Sequence, residues 1–365
     1  MKKHVLTVAA AISLSTAAIG QIGTEPPPPL PSEAMSPNEI VANASPEEWV
    51  VIDAEDLLVM TLAPDRDGNE RSVVIQLLPA PFSQGWVENI RTLARSGWYD
   101  GISVNRVQDN YVVQWGDPGH DNPEGEGIET KSLPDGLNVM DEEGYLVSNG
   151  NADGQKVFDE ASKRYQSAAL HTATLRPAGQ AETFDDLKEL AMAATANALV
   201  LLEPYGSLSM PYDGWPIGVN RQGSWPIHCY GMVGVGRNFS PDTGSGAELY
   251  TVIGHAPRHL DRNIALAGRI IDGMEHLSSL RRGSGVLGFY TEEEAGLRTP
   301  IVSIRVASDL PEGERPQFEY LSTEGETFAK YADARANRRD PFFIVPAGGA
   351  DICNIPVPVR AIGDG

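Results

Sequence analysis

Tyr99-Asp100-Gly101-Ile102-Ser103-Val104-Asn105-Arg106-Val107, followed by Asn110-Tyr111-Val112-Val113-Gln114-Trp115-Gly116-Asp117-Pro118, contains two strand-like runs, Gly101 to Arg106 and Tyr111 to Trp115. Upstream, Leu57 to Leu62 and Val73 to Leu78 flank the turn Asp65-Arg66-Asp67-Gly68-Asn69 and read as a hairpin, preceded by the strand-like Trp49-Val50-Val51-Ile52. Between that hairpin and the quoted stretch the period changes. Trp86, Ile90 and Leu93 recur at three and four residues, after Pro81 and before Gly97, which predicts an amphipathic helix. A hairpin, one helix and more strands imply a closed or nearly closed antiparallel sheet with a helix plugging one end.

Downstream, strand signals resume at Gly231 to Arg237, Leu249 to Ile253, Ala265 to Ile270 and Ile301 to Val306, with a short helix expected from Asp272 to Leu280. A last helix is expected over Glu314 to Arg338, where Phe328, Tyr331, Ala332 and Arg335 form one face. Residues 120-223 differ in character: Asn122 to Gly154 reads as long loops, Val157 to Ala169 and Phe184 to Leu202 as helices. Trp215-Pro216-Ile217 and Trp225-Pro226-Ile227 around Asn220 to Gly223 read as a second hairpin. This segment is read as an insertion, because strand signals continue on either side of it. Trp98, Trp115 and Trp225 are assigned to core or barrel-end packing.

The 365 residues carry 28 Lys+Arg against 50 Asp+Glu, a formal charge of −22, which excludes a generic nucleic-acid binder, since a polyanion needs a basic face. At 41% hydrophobic, with 37 Gly and 27 Pro, the chain can bury a core but is cut by many turns, as in barrels or sandwiches. His255 and His259 have the spacing of a helical metal pair, but Pro257 lies between them and no Glu or Cys completes a set, so no metal is expected. Gly231 to Gly236 lacks the order of a dinucleotide loop, and Ser103 and Ser245 lack His/Asp partners at hydrolase spacing. No cofactor is expected.

Met1-Lys2-Lys3-His4, the apolar Val5 to Ala18 and the small-x-small Ala18-Ile19-Gly20 before Gln21 read as a secretory signal peptide over 1-20. The alternative is a membrane anchor, but the run is shorter than the roughly 20 residues of a spanning helix. Export to a bacterial periplasm is the expectation, with a Pro-rich leader at 21-47 in which Glu25-Pro26-Pro27-Pro28-Pro29-Leu30-Pro31 forms a polyproline II spacer. In an oxidising compartment two lone cysteines far apart in sequence most economically pair, so a Cys229–Cys353 bridge is expected to tie the C-terminal tail to the strand entering Gly231.

Seven blocks in order carry a resemblance: Tyr99-Asp100-Gly101, Arg106-Val107, Gln114-Trp115-Gly116-Asp117-Pro118, Gly231 to Arg237, Pro241-Asp242-Thr243-Gly244-Ser245, His259-Leu260-Asp261 and Gly268-Arg269-Ile270-Ile271-Asp272-Gly273-Met274. Together they resemble the cyclophilin family of peptidyl-prolyl cis/trans isomerases over about 49-119 and 228-306. The resemblance implies a mainly β fold, a closed antiparallel β-barrel capped by helices, here over 48-306 and interrupted by the α-helical and loop insertion 120-223, with a C-terminal helix and tail at 307-365 packed on it. It implies binding of proline-containing segments of unfolded or folding proteins; the charge balance and the lack of a long apolar run already argue against nucleic acid and a membrane span.

By its place in the motif Arg106 resembles the family's essential arginine and Gln114 the glutamine that orients it. Tyr111, Val112, Tyr250 and Leu260 correspond to the apolar wall of the proline slot, and the backbone of Gly236 and Arg237 to the strand that pairs with substrate. Glu248 stands where the family usually has glutamine, His259 where some members carry Trp, and Ile264 where a histidine commonly closes the slot. Considered alone, Arg106 would more often be a surface ion-pair partner, and Tyr111 and Tyr250 core aromatics. Two functions follow: an exported isomerase assisting the folding of envelope proteins, or, given Glu248, Ile264 and the insertion, a catalytically weak binding module or chaperone on the same fold.

Overall fold

The computed structural model describes residues 34–125, 127–175, 201–202, 205–206 and 208–363. In chain order the strands are β1 (Trp49–Val51), β2 (Leu57–Leu62), β3 (Arg71–Leu77), β4 (Ser103–Val107), β5 (Val112–Gly116), β6 (Val147–Ser148), β7 (Leu201–Leu202), β8 (Leu208–Tyr212), β9 (Trp215–Val219), β10 (Gly223–Pro226), β11 (Met232–Val235), β12 (Glu248–Val252), β13 (Leu266–Asp272), β14 (Ile301–Val306), β15 (Phe318–Leu321) and β16 (Val359–Ala361). The signal peptide, residues 21-33 of the leader and 184-200 of the expected Phe184 to Leu202 helix lie outside the described residues; Leu201 and Leu202 form β7.

Eight strands form one antiparallel sheet in the order β14-β2-β3-β13-β11-β12-β5-β4. Its ends meet: the Val104 N–H donates to Thr299 O (2.9 Å), the Ile301 N–H donates to Ile102 O (2.8 Å), and Ser103 bridges Pro300, which closes the sheet into a barrel. Alternation sends Val73, Ile75 and Leu77 of β3 and Val113 and Trp115 of β5 into the core. The Gln84–Arg95 helix lays Trp86, Val87, Ile90 and Leu93 over one end, and Trp86 Nε1 donates to Thr243 O (3.0 Å).

Residues 120-223 contribute most of a second sheet, β6-β10-β9-β8-β7, backed by a helix over Ala152–Leu175. Arg164 on that helix reaches Pro211 O (2.8 Å) and Glu324 (2.7 Å), tying the helix to β8 and to the C-terminal segment. Trp215 and Trp225 are buried beneath the guanidinium groups of Arg269 and Arg262, 4.3 and 4.4 Å from the ring centroids.

The Glu314 to Arg338 segment is corrected. Phe318-Glu319-Tyr320-Leu321 is strand β15, and the helix begins only at Glu326, after Gly325. The segment is extended because β1 and β16 flank it in a third sheet, in register Trp49↔Leu321 and Phe318↔Ala361, with Phe318 and Leu321 buried on opposite faces. Trp49 to Val51 therefore lies outside the barrel, and the Pro37–Ala42 helix packs on the Glu326–Ala336 helix. The short helix is Glu275–Ser278, because β13 continues to Asp272. Cys229 and Cys353 are joined (S–S 2.03 Å), which fastens the tail to the segment entering β11. Among the described residues no helix is long and apolar enough to cross a membrane, and no cluster of metal-binding side chains occurs.

Candidate functional site

Strand register builds the site. A bulge in β4 after Val104 brings Arg106 opposite Gln114 of β5; Gln114 lies opposite Tyr250 of β12, and Tyr250 opposite Gly234 of β11. Four residues thus cross the outer face of the barrel in one row. Around this row Arg106, Tyr111, Val112, Gln114, Gly236, Arg237, Tyr250, Leu260 and Ile264 line one small cleft of about 120 Å³.

Arg106 is the best-held cation of the cleft. Its Nε donates to Leu287 O (2.7 Å), one terminal nitrogen donates to Gln114 Oε1 (3.0 Å) and the other to Gln108 Oε1. The guanidinium lies between two aromatic rings, 5.6 Å from the Tyr111 centroid and 5.3 Å from that of Phe289. Guanidinium has five N–H donors. Three are engaged among the described residues, leaving two for a ligand. Burial lowers the Arg106 pKa, an effect opposed by nearby Tyr111, Glu124 and Glu248.

Beside this cation, Val112 and Tyr250 pack with Val252, Tyr111 and Ile264 into an apolar cluster. The His259 ring stacks on Tyr111 (6.4 Å, 8°), so it supports a wall rather than lining the cleft. The Gly236 N–H is committed to Glu248 O (2.8 Å), and the Arg237 side chain turns aside to Asn263 O and Asn238 O (2.8 and 2.7 Å).

Glu248 does not reach the cleft. It shares the outer face of β12 with Tyr250 but is fully buried, because the Asp121 to Glu124 segment and Gly236 close over it. Among the described residues neither carboxylate oxygen has a partner at hydrogen-bond geometry, although the Gln114 and Asn122 amides lie near. Burial therefore raises its pKa well above the ordinary carboxylate value, with Asp121 adding to the rise and Gln114, Asn122 and Arg106 opposing it.

Sequence reasoning missed Gln108, Leu287 and Phe289, which hold Arg106, and the wall Asp121, Asn122, Pro123 and Glu124, near the start of residues 120-223. Only the loop wall left a signal, its position directly after Gly116-Asp117-Pro118.

The model of the family "Cyclophilin type peptidyl-prolyl cis-trans isomerase/CLD" matches residues 72–306. Among solved structures, cyclophilin AquaCyp293 from Hirschia baltica is similar at 20% identity and a TM-score of 0.53, over 90% of this chain and 98% of that one. A cyclophilin-type peptidyl-prolyl cis-trans isomerase of Cryptosporidium parvum aligns at 11% identity and a TM-score of 0.33, over 69% of this chain and 96% of that one. No curated protein matches the chain. The first structure supports the barrel, and the family model spans more than half of the sequence and every lining residue of the cleft: the chain belongs to the cyclophilin-type peptidyl-prolyl cis-trans isomerases.

Proposed function

We propose that the cleft accelerates rotation about X-Pro bonds without a covalent step, by holding the proline ring against Val112, Tyr250, Leu260 and Ile264 and presenting Arg106 to the twisted amide. Amide resonance sets a barrier of roughly 20 kcal/mol, while the two isomers differ by only about 1 kcal/mol. The catalyst therefore has only to bind the twisted form better than either planar one. Rotation uncouples the nitrogen lone pair, and an N–H donor aimed at it stabilises that state more than the ground states. The observation that carries the reading is Arg106, fixed by Leu287, Gln114 and Gln108 beside an apolar slot with two N–H groups uncommitted among the described residues.

The Met1 to Gly20 pattern and the Cys229–Cys353 bridge support a site of action outside the cytosol, in a periplasm, on exported proteins as they fold. Cell fractionation and an N-terminus at Gln21 test that part.

The test of the chemistry is the rate of cis/trans conversion of a short X-Pro peptide with wild type and Arg106→Ala. Acceleration by wild type that falls about a hundredfold in the variant is expected. No acceleration by wild type sinks the reading, and an unchanged variant sinks the role of Arg106. Ile264 in the slot wall favours a second reading, a client-binding module, which would suppress aggregation of an unfolded protein equally well with either variant.

A further inference from the structure

Behind the cleft, three buried polar side chains form a chain that the chemistry above does not use. His228, between β10 and β11, is wholly buried. Its backbone N–H donates to Asp261 Oδ1 (3.0 Å), its Nδ1 lies 2.8 Å from the same oxygen, and its Nε2 lies 2.8 Å from the Tyr250 hydroxyl. The second oxygen of Asp261 accepts from Arg258 Nε (2.7 Å).

The protons in this chain are determined. Burial would raise the Asp261 pKa, but the contacts from His228 and Arg258 outweigh it and hold the group below its ordinary value, so Asp261 is a carboxylate and accepts only. The hydrogen of His228 is then on Nδ1. Burial also lowers the His228 pKa, so the ring is neutral and its Nε2 is a bare acceptor. Burial keeps the Tyr250 phenol protonated, and its O–H donates to that Nε2.

His228 does not itself line the cleft, yet it grips Tyr250, whose ring does. Tyr250 lies over Gly234, which offers no side chain on that side; the His228 ring lies parallel to it (6.3 Å between centroids, 9°) and the hydroxyl bond fixes its end. Asp261 adjoins Leu260, another slot wall, so one carboxylate ties two walls together. We propose that His228 and Asp261 are positioning residues for X-Pro isomerisation, pinning the Tyr250 ring through its hydroxyl and so setting the width of the slot that receives the proline ring. This rests on the reading of the cleft as the catalytic slot.

The experiment measures kcat and KM for a short X-Pro peptide, with thermal melting, for full-length His228→Phe, Tyr250→Phe, the double variant, His228→Gln and Arg106→Ala. His228→Phe and Tyr250→Phe should each lower kcat/KM about tenfold, the scale of one hydrogen bond, mainly by raising KM. The double variant should be no worse than either single one, because both delete the same bond. His228→Gln, whose amide oxygen can accept from the phenol, should recover part of the loss. Unchanged kcat/KM in Tyr250→Phe, or losses that multiply in the double variant, overturn the inference. Tyr250→Phe removes only a hydroxyl and keeps the test decisive if His228→Phe does not fold. A normal rate in Arg106→Ala overturns the slot reading and the pinning with it. Loss in Arg106→Ala alone overturns the pinning and leaves the slot standing.

Discussion

A methyl group at Gly234 would sit 2.2 Å from Cζ of Tyr250 and 2.3 Å from its hydroxyl oxygen, so the bareness of one strand is what allows the ring of the next to lie across it. The ring cannot yield without leaving His228, 2.8 Å from the hydroxyl. Gly234→Ala should therefore lower kcat/KM about tenfold and cost about 1–3 kcal/mol of stability as overpacking. Peptide kinetics and a thermal melt check both; wild-type kinetics in this variant would mean that the ring moves freely.

Arg106→Lys should fail almost as badly as Arg106→Ala. A lysine ammonium has three donors on a flexible stem and cannot meet Leu287 O, Gln114 and Gln108 while lying between Tyr111 and Phe289. A loss of about a hundredfold in kcat/KM is expected. Retention of more than half the rate would show that charge alone suffices.

Glu248 gives stability a dependence on pH with a definite sign. Its pKa is raised in the folded chain, mainly by burial, so the folded state holds a proton that the unfolded state gives up near the ordinary glutamate value of 4.5. Its contribution is present in full below pH 4.5 and is lost as pH rises towards the folded value. Glu248→Gln, which cannot ionise, should raise the melting temperature at pH 8 by at least about 2 °C and change it little at pH 4. Equal shifts at both pH values would contradict a buried neutral carboxyl.

The cleft borders an acidic segment. Residues 120-223 carry 17 acidic against 7 basic side chains, and Asp121 and Glu124 line the cleft itself. Peptides with lysine beside the X-Pro unit should be turned over severalfold faster than those with glutamate at low salt, and the difference should shrink above about 0.1 M, where the screening length is roughly 10 Å. A preference that ignores ionic strength would place its origin elsewhere.

The sequence made the barrel legible where strands alternate and turns punctuate them: β2 to β5 and β11 to β14 lie where alternation predicts, and the Trp86 helix closes the end it should. Phe318 to Leu321 was lost because it stands close to the helical pattern of Phe328 and Tyr331, and its partners Trp49 to Val51 and Val359 to Ala361 are remote in sequence. Arg106 and Gln114 were legible because register makes them neighbours, and ordered motifs preserve register. His228 was not. A lone histidine after a Trp-Pro-Ile run has no periodic or motif signal, and its meaning comes only from Tyr250 and Asp261, far along the chain.

The bridge between Cys229 and Cys353 encloses β11 to β15 in a covalent ring. A protease that cuts an exposed loop within that ring, for instance beside Val286, leaves two fragments that cannot separate. One carries Arg106, Gln114 and Tyr250, and the other, with the Leu287 and Phe289 that hold Arg106, stays tied to it. The nicked chain should run as one band without reductant and as two with it. A single cut in that ring would then be damage the fold can survive.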